Sequence, residues 1–237
     1  MRVLVVSQYF PPESGACANR VRSFVEGLKA EGHEVVVLTE KPCYPEGVIE
    51  EEYRGGFFEE RVVDEVSVIN TWVYARPEAS FVTRLLSYLT FMVMAVLGAG
   101  RAKGSFDVVL ASSPPLTAGM AGWAVAKLKR ARFVLDVRDL WPDVAVAMGE
   151  VENPVIIRVA KAIERFLYRE ADGITAATER FCGHIGSTGD DPPPLKRIMN
   201  GTFPETFDQA ERRNETRELL GEGSEDFVVT YDGIVGR

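Results

Sequence analysis

The chain has 237 residues, of which 46% are hydrophobic and 26% are charged. This content suffices for one large or two small domains and excludes a disordered or collagen-like chain. The net charge of −8 makes the chain a poor candidate for wrapping nucleic acid, so we expect no nucleic-acid partner.

Cysteine and histidine are scarce, with three cysteines and two histidines in the chain. Cys17, Cys43 and Cys182 have no CxxC spacing, so they predict neither a disulfide framework nor a zinc site and fit a reducing compartment. The apolar run Val3–Val6 is followed at once by the polar pair Ser7-Gln8. It is too short for a signal peptide, and we expect a cytoplasmic protein.

Short apolar runs alternate with helical periodicity along most of the chain. Seven runs predict strands: Val3–Val6, Val35–Leu38, Val66–Val73, Val108–Ala111, Phe133–Val137, Ile174–Ala177 and Arg197–Met199. Helical stripes lie between them, for example Val21, Phe24, Val25 and Leu28. This alternation predicts an α/β fold, a Rossmann-like doubly wound parallel sheet with helices on both faces.

The last thirty residues differ from the rest. Residues 208–226 are polar and rich in charge, and Leu219-Leu220 before Gly221 suggest the end of a short helix. Phe227–Tyr231 is a new apolar run followed by glycines, which predicts a strand. We therefore expect one complete domain over residues 1–207, a linker over 208–226, and in 227–237 the first strand of a second domain that this chain lacks.

The loop Gln8–Ala16 follows the first predicted strand, where open α/β sheets bind ligands. Gly15 and Ala16 lie just before a helix, whose free N–H groups and dipole favour a phosphate. A tight turn that requires glycine explains the same residues equally well. The loop lacks G-x-G-x-x-G, so Glu40, at the place of a ribose-binding acid, is weak support for a nicotinamide-dependent oxidoreductase or epimerase.

Two later loops carry further polar residues. Ser112-Ser113 precede Pro114-Pro115 and a helix, where hydroxyls more often cap the helix than contact a ligand. Asp136 lies in or at the end of a strand, where a carboxylate needs a partner, and Arg138 could pair with it or hold a phosphate.

The segment Arg138–Asp143 follows directly, with the sequence R-D-L-W-P-D. Asp139 could act as a general base. In the structural alternative, an Asp–Arg pair lies above a packed Trp141. Loops at strand ends commonly hold sites, so we favour function, and the spacing predicts no metal site.

Residues 81–100 predict an unusually apolar helix. The sixteen residues Leu85–Gly100 carry no charge and are bracketed by Arg84 and Arg101. They fall short of the ~20 residues that cross a bilayer. The helix is therefore either fully buried, which is the commoner case, or interfacial with peripheral membrane contact.

Several segments, in this order, resemble a known family. They are Q-Y-F-P-P-E-x-G-A at Gln8–Ala16, then Arg20, G-H-E-V at Gly32–Val35, A-S-S-P-P at Ala111–Pro115, R-D-L-W-P-D at Arg138–Asp143, R-F-L-Y-R-E-A-D at Arg165–Asp172, and Asn200-Gly201 followed by Phe207. Over residues 1–210 the chain is similar to the N-terminal domain of retaining GT-B glycosyltransferases of family four. The bacterial branch that builds lipopolysaccharide, capsule and other surface polysaccharides resembles it most.

The resemblance implies two Rossmann-like domains that face each other across a cleft. The N-terminal domain would take a polyprenyl-diphosphate-linked or saccharide acceptor, at the cytoplasmic face of the membrane when the acceptor is a lipid. The C-terminal domain would hold the nucleotide-sugar donor, usually a UDP-sugar. Catalysis would need no metal and no cofactor, because protein cations and dipoles stabilise the leaving diphosphate.

The resemblance also assigns roles to residues. Gly15, Ala16 and Arg20 would lie at the donor diphosphate. Asp139, with Arg138 beside it, would be the acceptor-side base or positioning acid. Other cleft residues would be Ser112, Ser113, Trp141 and Asn200, and Ser112-Ser113 stand where many relatives carry a histidine.

The family's donor-binding glutamates have no counterpart in this sequence, so we expect the chain alone to be inactive. The alternatives are the nicotinamide-dependent enzyme and a module that binds acceptor or membrane without catalysis.

Overall fold

The computed structural model describes residues 1–78, 80–188, 193–201, 215–221, 223 and 226–229. The chain divides into two compact units, Met1–Gly201 and Thr202–Arg237. In the second unit a helix spans Glu215–Leu220, as its sequence predicts. Residues 226–229 have no regular structure. The strand predicted at Phe227–Tyr231 is thus missing in its described part, where Phe227 and Val229 are exposed, and its remainder lies outside the described residues.

The first unit contains one eight-stranded sheet. Its strands are β1 (Arg2–Val6), β2 (Glu34–Glu40), β3 (Phe58–Val63), β4 (Val66–Thr71), β5 (Val108–Ser113), β6 (Arg132–Val137), β7 (Gly173–Ala176) and β8 (Leu195–Arg197), in the spatial order β3-β4-β2-β1-β5-β6-β7-β8. Seven strands run parallel, which confirms the predicted fold class. The last predicted strand is shifted, since β8 begins two residues earlier than the expected Arg197.

The sheet is mixed rather than purely parallel, because β3 pairs antiparallel with β4. The sequence did not predict β3. Its connection to β4 is the two-residue turn Asp64-Glu65, in which both residues have positive φ (48° and 63°). Such hairpin turns normally carry Asn-Gly or Asp-Gly, so this one lacks the usual signal.

Helices cover both faces of the sheet, as predicted. They are α1 (Ala16–Ala30), α2 (Phe81–Gly98), α3 (Leu116–Lys129), α4 (Asp143–Ala147), α5 (Pro154–Glu170) and α6 (Glu179–Ser187). On one face, Val3 and Val5 of β1 pack with Val21 and Val25 of α1. The alternate residues of β1 point to the opposite face, into the larger core that contains α2, α3, α5 and α6.

The strand order places a topological switch point beside β1. From β1 the chain adds β2, β4 and β3 on one side, and it then returns to add β5 on the other. The loops after β1 and β5 therefore diverge at the carboxyl edge of the sheet. Ligands of open α/β sheets bind in the crevice that such a divergence creates.

Helix α2 packs through one face only. Phe91, Ala95 and Gly98 are buried against the sheet and α3, and a Cβ at Gly98 would lie 2.9 Å from Cγ2 of Thr71. The opposite face is exposed and apolar. We call it the apolar strip; it comprises Val82, Leu85, Leu86, Leu89, Val93 and Leu97.

This one-sided packing excludes the first alternative for residues 81–100, a fully buried helix. By length and composition, α2 is the one helix among the described residues that would suffice to cross a membrane; its mean hydropathy is 1.7 and 17% of it is buried.

Candidate functional site

Asp136 lies at the centre of the carboxyl edge. Strand register aligns it with Ser112 on β5 and with Thr175 on β7, so the three side chains lie side by side on one face of the sheet. Ser112 Oγ donates to Asp136 Oδ2 over 3.1 Å, and Thr175 Oγ1 donates to Oδ1 over 2.8 Å. The Asp136 side chain is completely buried. Thr175 was not among the residues predicted from the sequence.

The ion-pair partner of the Asp136 carboxylate is Arg20 of α1. Arg138, which the sequence offered either as this partner or as a phosphate ligand, does not pair with it. Arg20 Nη2 lies 2.7 Å from Oδ1 and its Nε lies 3.0 Å from Oδ2, and both side chains are buried. Arg20 Nη1 also donates to Asn200 Oδ1 at 2.8 Å. The ion pair ties α1 and the segment after β8 to the centre of the sheet. The guanidinium of Arg20 donates to both of these side chains. Its predicted contact with a donor phosphate stays a prediction.

Arg138 joins the same network through a hydroxyl. Its Nε donates to Ser112 Oγ at 3.0 Å, and its Nη2 donates to the carbonyl oxygen of Pro114. Ser113 is buried, and its carbonyl accepts from the N–H of Arg138 at 2.8 Å. Neither serine caps α3, which begins after Pro115 without a side-chain cap. The capping interpretation is therefore wrong, and the serines stabilise the edge on which the site is built.

Asp139 lies just outside this network and is exposed. Among the described residues, no side chain lies within hydrogen-bonding or ion-pairing distance of its carboxylate. Local desolvation raises its pKa, and the neighbouring Arg138 opposes that rise. Trp141 is half-buried against the larger core, which matches the packing role in the structural alternative. A free carboxylate of raised pKa beside a cation remains available to receive a proton.

The N-terminus of α1 is open. Gly15 precedes the helix with φ 139°, no side chain caps it, and the first turn holds no acid. Gly15 and Ala16 are both exposed. The N–H groups of this turn therefore lack intrahelical acceptors and present a positive dipole end, which suits an anion.

A second polar cluster escaped the sequence analysis, which treated Glu40 only as weak evidence for a dinucleotide site. Glu13 and Glu40 are both buried, and Oε2 of each has no hydrogen-bond partner. Glu13 Oε1 accepts from the N–H groups of Cys43 and Tyr44, each at 2.9 Å. Polar atoms of Glu13, Glu40 and Cys43 lie within 4.8 Å of one another. If deprotonated, these three groups could hold a divalent cation; the prediction that the protein needs no metal is untested.

Two carboxyl groups can be buried next to each other here because both are favoured in the protonated, neutral form. Burial raises the pKa of Glu13 from 4.5 to about 7, against hydrogen bonds from Cys43 and Tyr44. Burial and repulsion by Glu13 hold the pKa of Glu40 well above 4.5. Burial also raises the pKa of the Cys43 thiol. A buried carboxyl without a cation is favoured in its neutral form.

Stability should therefore depend on pH through this pair. An unfolded glutamate releases its proton near pH 4.5, whereas folded Glu13 keeps its proton to about pH 7 and the pKa of Glu40 is also raised by burial. The free energy of unfolding should fall as the pH rises through that window.

Glu40→Gln should reduce the fall by about 1–2 kcal/mol. Urea unfolding at pH 5, 6, 7 and 8 measures it, with the surface variant Glu52→Gln as control. Identical slopes for wild type and Glu40→Gln would refute protonation of the pair.

A cavity of about 260 Å³ opens above Glu40. It lies between the first half of α2 and the loops that follow β1, β2 and β4. Its lining includes Tyr9, Glu40, Tyr44, Arg76, Arg84 and Tyr88. Of the predicted site residues, Arg20, Ser112, Arg138 and Asn200 meet around Asp136, and none of the predicted residues lines this cavity.

Comparison with known proteins identifies the family. The family described as "Glycosyl transferase 4-like domain" matches residues 15–201. The chain belongs to this family. A curated relative is the "Putative colanic acid biosynthesis glycosyl transferase WcaI" of Escherichia coli (strain K12), 26% identical over 182 residues, which are 74% of this chain and 44% of the relative.

Solved glycosyltransferases share the fold. Sucrose-phosphate synthase from Thermosynechococcus elongatus matches with a TM-score of 0.63 and 15% identity, over 94% of this chain and 53% of the synthase. Anabaena Alr3699/HepE in complex with UDP and glucose matches with a TM-score of 0.51 and 15% identity, over 93% of this chain and 50% of HepE. The glycosyl transferase 4-like chain thus spans about half the length of these relatives, and its fold is one half of the GT-B architecture.

Proposed function

We propose that the chain is the acceptor-side domain of a retaining glycosyltransferase that builds a bacterial surface polysaccharide such as lipopolysaccharide or capsule. The enzyme transfers a sugar from a UDP-linked donor to a lipid-linked or saccharide acceptor. The observation that carries the proposal is the match of the glycosyl transferase 4-like family to residues 15–201, which include α1 and β5 beside the switch point. The names of WcaI and of the HepE complex support the pathway and the donor.

In this proposal the open N-terminus of α1 contacts the donor diphosphate. The N–H groups that follow Gly15 and Ala16 supply hydrogen bonds and a positive dipole end where negative charge grows on the leaving group. The buried pair of Arg20 and Asp136 holds α1 in place against the sheet. These groups stabilise the leaving diphosphate without a metal ion.

Asp139 takes the proton of the acceptor hydroxyl. The hydroxyl oxygen bonds to the anomeric carbon from the face that UDP leaves, so the bond to UDP breaks and the configuration is retained. Its carboxylate is free and its raised pKa favours proton acceptance. Arg138, fixed by Ser112 and Pro114, keeps the carboxylate charged between turnovers. We assign Trp141, after β6, and Asn200, after β8, to the acceptor side of the cleft.

Two alternative functions are tested together with the transferase: a nicotinamide-dependent oxidoreductase and a non-catalytic binding module. A nicotinamide-dependent oxidoreductase needs the G-x-G-x-x-G loop after β1, and this loop has a single glycine, Gly15. A module that binds acceptor without catalysis would keep the fold and lack turnover.

The discriminating experiment uses the complete open reading frame that encodes this chain. UDP release is measured for a panel of UDP-sugars with and without a bacterial membrane extract, and NAD binding is measured by calorimetry. Release that depends on the extract supports the transferase. NAD binding without release would replace it with the oxidoreductase, and extract binding without release would leave the non-catalytic module.

We also propose that the protein works at the cytoplasmic face of the membrane, with the apolar strip of α2 in the lipid interface. Leu85, Leu89 and Val93 expose about two-fifths to one half of their surface, although α2 is well packed on its other side. Arg84, in the first turn of the same helix, is 48% exposed and lies 3.8 Å from Glu150. Such a surface pair is weak enough for anionic headgroups to replace it.

Leu89→Asp should weaken this binding while the domain stays folded. A charge in the strip should weaken sedimentation with phosphatidylglycerol vesicles about tenfold or more, because one leucine no longer enters the lipid. The matched control is Leu128→Asp, since Leu128 is 64% exposed on α3. Unfolding of Leu89→Asp, or equal losses in both variants, would show that the strip does not contact lipid.

A further inference from the structure

Two buried carboxyl groups and a buried thiol meet between two loops at the carboxyl edge of the sheet. Glu13 lies in the loop after β1, Glu40 ends β2, and Cys43 follows in the loop after β2. These residues are 5%, 1% and 8% exposed. One polar atom of each lies within 4.8 Å of those of the other two. The proposed transfer chemistry uses none of the three.

The oxygen atoms in this cluster are left without hydrogen-bond partners. The N–H groups of Cys43 and Tyr44 hold Glu13 Oε1, each at 2.9 Å, and neither Glu13 Oε2 nor Glu40 Oε2 has a partner. Gln8 Oε1 is a third such atom, and its side chain lies close enough to Glu40 to oppose the rise that burial causes in the pKa of that group. Unpartnered buried oxygens are costly, so their concentration here points to a ligand that satisfies them.

A divalent cation is the ligand that this set of atoms suits. Carboxylate oxygens and a thiolate sulfur are ligands of Zn²⁺, with bonds of about 2.0–2.2 Å to oxygen and about 2.3 Å to sulfur. Tetrahedral geometry then places the oxygen and the sulfur about 3.5 Å apart. Cys43 Sγ lies 3.5 Å from Glu40 Oε1. The thiol favours zinc over Mg²⁺ and Ca²⁺, which prefer oxygen ligands.

The cluster also has an entry path. Glu40 and Cys43 line the cavity of about 260 Å³ that opens between the loops and α2. An ion can therefore reach the cluster from solvent, and the cavity has room for a water molecule at a fourth ligand position.

We propose that Glu13, Glu40 and Cys43 bind one Zn²⁺ ion, with a water molecule from the cavity as the fourth ligand. They bind it as two carboxylates and a thiolate, and their protons pass to solvent when the ion enters. The ion ties the loop that leads into α1 to the loop after β2. The sequence analysis expected no zinc site, because these three residues have no motif spacing.

The zinc site goes beyond the proposed transferase function and does not depend on it. In that function the leaving diphosphate is still stabilised by protein groups, and the ion has a structural role. The pH dependence of stability predicted above belongs to the metal-free protein.

Zinc titration of the complete protein tests the site. The protein is prepared without a histidine tag, treated with EDTA, dialysed and titrated with ZnCl₂ by calorimetry. We expect one Zn²⁺ per chain. At a free zinc concentration of about 100 times Kd, the melting temperature of this domain should rise by about 5–10 °C.

Variants identify the carboxylate ligands. Glu13→Gln and Glu40→Gln should each weaken zinc binding about 100-fold or more, because each removes an anionic ligand and keeps the size of the side chain. The matched control is Glu164→Gln. Glu164 is 4% exposed and lies 3.9 Å from His184 in a separate cluster, so this variant should bind zinc within about twofold of wild type.

Cobalt reports the thiolate directly. Co²⁺ in place of Zn²⁺ should give the near-ultraviolet charge-transfer absorption of a cobalt–thiolate bond. Cys43→Ser should lose this absorption, whereas Cys182→Ser, which changes a thiol on α6, should keep it. Circular dichroism of the metal-free variants establishes that they are folded.

Four results would overturn the proposal. Zinc affinity unchanged in both glutamine variants would remove the carboxylates, and a cobalt complex without the thiolate absorption would remove Cys43. An equal loss of affinity in Glu164→Gln would assign the ion to the cluster around His184. Displacement of zinc by Mg²⁺ would exclude a thiolate site. None of these readouts involves turnover, so they are independent of the outcome for the transferase.

Discussion

Asp139→Asn in the complete protein is expected to lower kcat for sugar transfer by about 10²–10⁴-fold. Asparagine keeps the size of the side chain and loses the ability to accept a proton from the acceptor hydroxyl. Because Asp139 is exposed and unpaired among the described residues, its loss should leave the melting temperature unchanged. Steady-state rates at saturating donor and acceptor measure the effect.

Asp143→Asn is the matched control, four residues further along. Asp143 begins α4 and pairs at the surface with Lys161 at 2.8 Å. Its substitution should change kcat less than about twofold, since an exposed ion pair contributes little. Retention of more than half the activity in Asp139→Asn would remove the assigned base and leave the fold and family intact.

The second large effect is on stability. Asp136→Ala should lower the free energy of unfolding by about 3–5 kcal/mol, because it leaves the guanidinium of Arg20 buried without its counter-charge. Ser112 and Thr175 would lose their common acceptor as well. Urea unfolding measures the change. Glu34→Ala, which breaks an exposed pair with Arg2 at 2.7 Å, should cost under about 1 kcal/mol.

The double variant Arg20→Met/Asp136→Leu separates the charge from the packing. Removing both charges should recover most of the stability that Asp136→Ala loses, since neither ion is left unpaired. A cost below about 1 kcal/mol for Asp136→Ala alone would mean that the pair does not hold α1 to the sheet.

The sequence predicted the parallel part of the sheet because its strands are buried on both faces and read as continuous apolar runs. It also indicated that Asp136 needs a partner, since a carboxylate in such a strand is costly. For Arg138 it gave this pairing as one of two possible roles, and the structure shows the pairing with Arg20 instead. Arg138 is close in sequence, whereas Arg20 is 116 residues away and reaches Asp136 only because α1 packs over that face.

Other features depend on tertiary contacts that no local pattern records. β3 reads F-E-E-R-V-V and joins β4 through Asp64-Glu65, which lacks the usual turn residues. The cavity above Glu40 needs three loops and α2 to meet. One signal in the sequence indicates the burial of Glu40: this acid ends β2, a strand that is mostly apolar. No comparable signal marks Glu13.

For helix α2, the composition of the sequence predicted the apolar segment but not the face that packs on the sheet. Composition identified an uncharged segment between Arg84 and Arg101, but composition alone does not say which face packs. The small residues Ala95 and Gly98, with Phe91 on the same side, allow close approach to the sheet. The exposed side then follows from helical periodicity.

The measurement that tests the central claim most directly is the mass of the product. The complete protein is incubated with a panel of UDP-sugars and a lipid extract from a surface-polysaccharide-producing bacterium, and the lipids are analysed by mass spectrometry. The account predicts that one lipid-linked acceptor gains the mass of one sugar residue, and that Asp139→Asn abolishes the gain. Acceptors of unchanged mass, with every UDP-sugar left intact, would contradict it.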